Sequence, residues 1–170
     1  ARLNASMNLL SNDLNKLKFV LIQFVRLIKD GKDVSMSKRS GSYTTIKDML
    51  DEFNKDLVRF MMVSRSSDSH FDFDLDKCRE GSDDNPIFYI QYASARINSI
   101  LSKNKEGNGS LDGIDLSLLK EEQEIRLIKK MLNFSDVVLE SSNTMSPHKI
   151  AFYLQELAKI FHSYYKNTKV

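Results

Sequence analysis

Asn85-Pro86-Ile87-Phe88-Tyr89-Ile90-Gln91-Tyr92-Ala93-Ser94-Ala95-Arg96-Ile97 is the stretch on which the reading of this chain turns. Asparagine before proline is a helix-start pair: Asn85 can cap the first turn, and Pro86 stands where its missing N–H costs nothing. Downstream of it Pro86, Ile90, Ala93, Ile97, Ile100 and Leu101 recur at steps of three and four, which predicts a helix burying those residues. Tyr89, Tyr92, Arg96 and Lys103 form a stripe beside that face. Tyrosine rings stack on unpaired bases and Arg or Lys neutralises phosphate, the combination that holds single-stranded RNA loops. On periodicity alone, a pair of rings bordering an apolar core stays the better account of Tyr89 and Tyr92.

Further along, residues 104–113 hold three glycines among polar side chains and read as a loop without packing demands. Two helices follow, one around Leu118, Ile125, Ile128 and Leu132, the other over 137–140. Ser146-Pro147 then opens a long last helix with Ile150, Leu154, Leu157, Phe161 and Tyr164 on one stripe. Tyr165, Lys166 and Lys169 repeat the aromatic-plus-basic pattern at its end.

Upstream the chain reads differently. Residues 2–10 suggest a helix end, and 17–25 is a run apolar on both sides of a period-two pattern, as in a strand buried within a parallel sheet. Asp30-Gly31 marks a tight turn. Too few strand signals follow to complete such a sheet. Thr44 or Thr45 can cap a helix through Ile46, Met49, Leu50 and Phe53, and Leu57, Phe60, Met61 and Ser64 suggest another.

Composition agrees with a mainly helical globular chain: 41% of the 170 residues are hydrophobic, 28% are charged, and there are only two prolines. The net charge is +2, but it is unevenly spread. Residues 1–45 carry eight Lys/Arg against three Asp/Glu, residues 46–84 six against eleven, and residues 85–170 eleven against nine. A localised basic site fits this better than a whole nucleic-acid-binding surface. The longest greasy run, 19–28, is too short to span a bilayer and is broken by Gln23 and Arg26. One cysteine, Cys78, cannot staple the fold and fits a reducing compartment. The expectation is a cytoplasmic protein without membrane association, excised from something longer.

Ser35-Met36-Ser37-Lys38-Arg39-Ser40-Gly41 sets two cations in a loop of small residues after the strand. Such a loop can cover a polyphosphate, Lys38 supplying a compact charge and the hydroxyls hydrogen bonds. On spacing alone an ordinary solvated basic loop outweighs that reading. His70, His148 and His162 have no metal-ligand spacing, so no metal site is expected. Asp72, Asp74 and Asp76 lack the glycine and distal glutamate of a calcium loop and read as a charge cluster at a helix start.

Taken together, these segments resemble the carboxy-terminal part of an arginyl-tRNA synthetase, a class I enzyme. The 85–97 stretch is close to the family's Asn-Pro-Val-Tyr-Tyr-Val-Gln-Tyr-Ala-His-Ala-Arg. Residues 19–27 with Asp30-Gly31 resemble the strand and turn before its signature loop, and Met36-Ser37-Lys38-Arg39-Ser40-Gly41 resembles that KMSKS-type loop. Asp56-Leu57-Val58-Arg59 stands where the Asp-Ala-Leu-Arg motif lies, and Tyr153-Leu154-Gln155-Glu156-Leu157-Ala158 with Phe161-His162-Ser163-Tyr164-Tyr165 resembles the last long helix. Ser35 replaces the loop's first lysine, Ser94 the usual His, and Phe88 the usual Tyr. The His-x-Gly-His signature of the class is absent.

The resemblance implies a mainly α fold, an anticodon-binding helical bundle preceded by a small α/β remnant (helix, strand, KMSKS-type loop) of the class I catalytic domain. Its boundaries would be 1–45 for the end of the Rossmann-like catalytic domain, 46–84 for a helical connector, and 85–170 for a C-terminally truncated DALR-type bundle. It implies formation of arginyl-adenylate from arginine and ATP with Mg2+, then transfer to arginine tRNA. Lys38 would be the catalytic lysine within an ATP-binding loop of Met36, Ser37, Lys38 and Arg39. Tyr89, Tyr92, Arg96 and Tyr165 would face the anticodon loop. The chain alone would be a monomer that binds tRNA, holds no cofactor and catalyses nothing. The competing class is a non-enzymatic helical scaffold meeting a protein partner, and the cysteine and methionine synthetases share the domain type.

Overall fold

A computed structural model of the chain describes residues 2–10, 18–34, 44–79, 86–103 and 115–168. The architecture is mainly helical. Helix α1 (Arg2–Leu10) precedes a hairpin of β1 (Val25–Lys29) and β2 (Lys32–Asp33), then α2 (Ile46–Glu52), α3 (Lys55–Val63), β3 (Phe71–Asp74) and α4 (Leu75–Arg79). Helices α5 (Pro86–Lys103), α6 (Glu122–Leu132), α7 (Phe134–Thr144) and α8 (His148–Asn167) make the second half, with a 3₁₀ turn at Leu116–Leu118. Leu118 therefore lies outside the helix that carries Ile125 and Ile128. The loops around Lys38 and over 104–113, and the Asn85 cap, fall outside the described residues.

The small sheet has the order β2-β1-β3, with β1 antiparallel to β2 and parallel to β3. Asp30 and Gly31 both take positive φ, 51° and 69°, the geometry a two-residue hairpin needs and one that glycine adopts without strain. The expected strand over 17–25 is displaced. Pairing starts only where Val25 meets Phe71, and residues 18–24 have no regular structure, with Leu21, Ile22 and Phe24 exposed. Among the described residues β1 has a single parallel neighbour, which begins only opposite Val25, so before it the Gln23 N–H donates to the Ser67 carbonyl at 2.8 Å but no ladder forms.

That neighbour is itself a departure from expectation. Phe71-Asp72-Phe73-Asp74 alternates about the sheet: Phe71 and Phe73 are buried, while Asp72 pairs with Arg26 at 2.7 Å across the two strands. The helix-start reading holds for Asp74, whose carboxylate accepts from the N–H groups of Asp76 and Lys77 at 3.1 Å each. It holds too for Asp76, in the first turn of α4, whose carboxylate also accepts from the Asp30 N–H at 2.6 Å and pairs with Arg79, tying the hairpin turn to α4.

A first core gathers around Phe73, which is wholly buried, with Leu27, Met49, Phe53, Leu57, Phe71 and Ile87 among its members. Phe53 and Phe71 meet the Phe73 ring edge-on at 6.4 and 5.9 Å. Cys78 belongs to the same core, where burial pushes its thiol up to about 11, so it packs as a protonated apolar side chain.

Helix α2 begins as its sequence indicates. The Thr45 hydroxyl accepts from the Asp48 N–H at 3.1 Å, and the Asp48 carboxylate accepts from the Thr45 N–H at 2.7 Å, a reciprocal capping box. Replacing Thr45 by alanine is expected to cost about 1 kcal/mol, read as a lowered urea midpoint. Hydrogen bonds from Thr45 hold the Asp48 carboxyl below its ordinary value of 3.8. A depressed carboxylate stabilises the fold fully above its unfolded pKa, so this contribution persists at neutral pH and is lost as pH falls below 3.8 through the folded value.

In the second half α8 is the central rod, packed by α5, α6 and α7. Its buried residues are Ala151, Tyr153, Ala158 and Phe161, a face rotated from the expected stripe, and Leu154 is partly exposed. The Tyr153 hydroxyl donates to the Lys130 carbonyl at 3.0 Å, which satisfies a buried polar tip and pins α8 to α6. Ser146 does not cap α8. Its hydroxyl donates to the Thr144 carbonyl at 3.1 Å and its N–H to the Ser141 carbonyl at 2.8 Å, closing α7. Its own carbonyl accepts from the Ser141 hydroxyl at 2.9 Å and from the Lys149 N–H at 3.1 Å, and Pro147 is the N-cap of α8.

Candidate nucleic-acid interface

Helix α5 is covered from two directions. Near its start Ile87 joins the first core, and one-and-a-half turns later Ala93 meets Ala158 and Phe161 of α8. Ala93 and Ala158 are small, which lets the two helices approach each other where they meet, with Phe161 packed beside them. Of the residues expected on the buried face, Ile90, Ala93 and Ile100 lie in this seam, whereas Pro86, Ile97 and Leu101 are exposed.

The flank of the seam carries the predicted aromatic stripe. Residues three and four apart on a helix share a side, which brings Tyr89, Tyr92 and Arg96 together on α5. Tyr165, from the last turns of α8, completes the group. The Arg96 Cζ lies 4.5 Å from the Tyr92 ring centre and 4.4 Å from that of Tyr165. Its Nη2 also donates to the Tyr92 hydroxyl. That hydrogen bond first, with the two phenols adding to it, raises the guanidinium above its ordinary value, so Arg96 is a permanent cation. Tyr92 is 51% exposed, while Tyr89, Arg96 and Tyr165 are half-buried. The rings thus border the core with one side and present an edge to solvent with the other.

A fifth member was not singled out from the sequence. The His162 ring stacks on Tyr92 at 5.4 Å and 23°, and meets Tyr89 at 4.3 Å. Its Nε2 lies 3.0 Å from the Tyr89 carbonyl oxygen. The available signal was its position three residues before Tyr165, on the same side of α8. Lys103 and Lys166 stand exposed in the last turns of α5 and α8. On the other side of the seam an apolar groove of about 190 Å³ is lined by Ile90, Ile97, Leu154 and Leu157, with Ser94 and Asn98 at its polar margin.

The remaining sequence-based candidates, Met36, Ser37, Lys38 and Arg39, lie outside the described residues, as does Lys169. Asp56 is in the first turn of α3, where its N–H donates to the Asn54 cap at 2.8 Å, and Leu57 and Val58 are buried beneath it. Among the described residues, no group of three His, Cys, Asp or Glu is placed to hold a metal ion. No helix among them is long and apolar enough to cross a membrane.

The bundle of α5 to α8 has the class of an anticodon-binding domain by its sequence family: residues 90–170 match the family described as the DALR anticodon binding domain. Over 98% of its length the chain is 46% identical to an arginine–tRNA ligase of Vesicomyosocius okutanii, and over 99% it is 41% identical to one of Desulforamulus reducens. It spans only 29% and 31% of those two relatives. A Campylobacter jejuni structure named as an arginyl-tRNA synthetase superposes with a TM-score of 0.80 at 30% identity, covering 99% of this chain and 37% of that one. The Thermus thermophilus arginyl-tRNA synthetase gives a TM-score of 0.61 at 26% identity, covering 85% of this chain and 26% of that one. The chain belongs to the arginyl-tRNA synthetase family and corresponds to the C-terminal part of its members.

Proposed function

We propose that this chain is the anticodon-arm-binding part of an arginine–tRNA ligase, gripping its tRNA through Tyr89, Tyr92, Arg96 and Tyr165. The observation that carries the reading is Arg96, a permanent cation resting on two partly open aromatic rings within the span that matches an anticodon binding family. In the free chain the guanidinium occupies ring surface that a base would use. Binding then exchanges guanidinium–ring contact for base–ring contact, and the released cation meets phosphate.

The test is a titration of an arginine-tRNA anticodon-arm RNA, followed by fluorescence anisotropy at several salt concentrations. Affinity should fall steeply with salt, log K dropping by roughly 0.7 per phosphate contacted on a single strand for each tenfold rise. The α5–α8 groove favours a second reading, a protein-interaction module, in which affinity for an apolar partner barely responds to salt.

The parent enzyme, on this proposal, condenses arginine with ATP to arginyl-adenylate, releasing pyrophosphate, and passes arginine to the tRNA. Magnesium would accompany the ATP. Lys38, within Met36-Ser37-Lys38-Arg39, would stabilise the charge developing on the transferring phosphates, a role carried by the family resemblance of that loop. The division at 45 and 84 into catalytic edge, connector and bundle belongs to the same proposal, as do a monomeric state and a cytoplasmic location. Alone, the 170-residue chain should bind RNA and turn over no ATP in the presence of arginine, and arginine-dependent pyrophosphate release by it would contradict this.

A further inference from the structure

We propose that His162 is a positioning residue for RNA binding, locking the Tyr89 and Tyr92 rings into the orientation in which they receive a base. The inference rests on the anticodon-arm reading above and adds to it a residue from the opposite helix. Three contacts carry it. His162 Nε2 lies 3.0 Å from the Tyr89 carbonyl oxygen, and because a carbonyl can only accept, the ring must carry its proton on Nε2. That hydrogen bond fixes the imidazole plane against the α5 backbone. The fixed plane then stacks on Tyr92 at 5.4 Å and 23°, and closes on Tyr89 at 4.3 Å.

The consequence concerns rotamer freedom. A half-exposed tyrosine at the edge of a helix pair can hop between side-chain wells, and that freedom is lost when a base stacks on it. Here the loss has already been taken in the folded protein, because imidazole holds the inner side of both rings while Tyr92 keeps 51% of its surface open. Phe161, adjacent to His162 and buried, anchors the same turn of α8, so the backbone that carries the imidazole is fixed at the seam. A hydrogen bond across 73 residues of sequence thus links the two helices at the point where the proposed ligand would lie.

Three variants of the full 170-residue chain separate the contributions. His162→Gln keeps an N–H donor near the Nε2 position without the ring, His162→Phe keeps the ring without the donor, and His162→Ala removes both. Each is titrated with the anticodon-arm RNA, beside Tyr92→Ala and the Tyr92→Ala/His162→Ala double variant, and affinity is expressed per folded molecule from far-UV circular dichroism. Positioning predicts that His162→Ala weakens binding by roughly five- to tenfold, the low end of what a stacked ring contributes. It also predicts partial recovery in His162→Gln or His162→Phe and, on adding His162→Ala to Tyr92→Ala, a further loss smaller than that of His162→Ala alone, because only Tyr89 is then left to be freed. A merely structural histidine would lower the melting temperature in every variant and leave affinity per folded molecule within twofold of the parent, a result that overturns the inference while Tyr92→Ala still weakens binding. Independent, multiplicative losses in the double variant overturn it as well. If the parent chain fails to bind the RNA, or Tyr92→Ala has no effect on it, the anticodon reading falls and this inference with it.

Discussion

Replacing Tyr92 or Arg96 by alanine is expected to weaken binding of the arginine-tRNA anticodon arm by about 1–3 kcal/mol each, with helix content unchanged. The fold should survive because α5 is held elsewhere, by Ile87 in the first core and by Ala93 against Ala158. Tyr92 contributes mostly an open ring, and alanine is the better helix former at an exposed position. The two losses should not add. Arg96 lies on the Tyr92 ring and donates to its hydroxyl, so each single change already disturbs the contact that the other makes. Arg96→Lys should recover only part of the affinity, since an ammonium keeps the charge but not the planar face that rests on Tyr92 and Tyr165. If either alanine variant unfolds while affinity per folded molecule stays at the parent value, the rings are core border and nothing more.

The shape of that surface was only partly legible in sequence, for reasons that specific residues make plain. Spacing placed Tyr89, Tyr92 and Arg96 on one side of a helix correctly, because a 100° step per residue depends on nothing outside the helix. The buried face of the same helix came out rotated. A periodic pattern has one phase, but α5 has two neighbours in different directions, so Ile87 is buried at its start while Ile97 and Leu101 are left open further along. Ala93 marks the real crossing, and a small residue carries little weight in a hydrophobicity count. Strand β3 shows the opposite fault. Phe71-Asp72-Phe73-Asp74 alternates with period two, a genuine strand signal, yet four residues with two carboxylates read more readily as an acid cluster. His162 is different again, since its partner carbonyl is 73 residues away and no local pattern contains that pairing.

Phe73→Ala should be the most destabilising single change in the described part of the chain, at about 3–5 kcal/mol, the range for truncating a fully buried phenylalanine. Three features argue for the upper part of that range. Phe73 is 0% exposed, its ring is met edge-on by Phe53 from the C-cap of α2 and by Phe71 from its own strand, and that strand is held to the rest of the sheet by β1 alone. A cavity there cannot be refilled by sliding β3, because a one-residue slip would carry Asp72 or Asp74 into the apolar core. Urea unfolding followed by far-UV circular dichroism should show the midpoint falling sharply, whereas Asp72→Asn on the same strand, whose carboxylate faces solvent beside Arg26, should leave it almost unmoved. The same pair of variants separates scaffold from surface. Loss of Phe73 removes folded protein without touching the Tyr92 face, so RNA affinity per folded molecule should hold at its parent value. A fall in that affinity would mean that the first core, through Ile87, sets the pose of α5 as well as its stability.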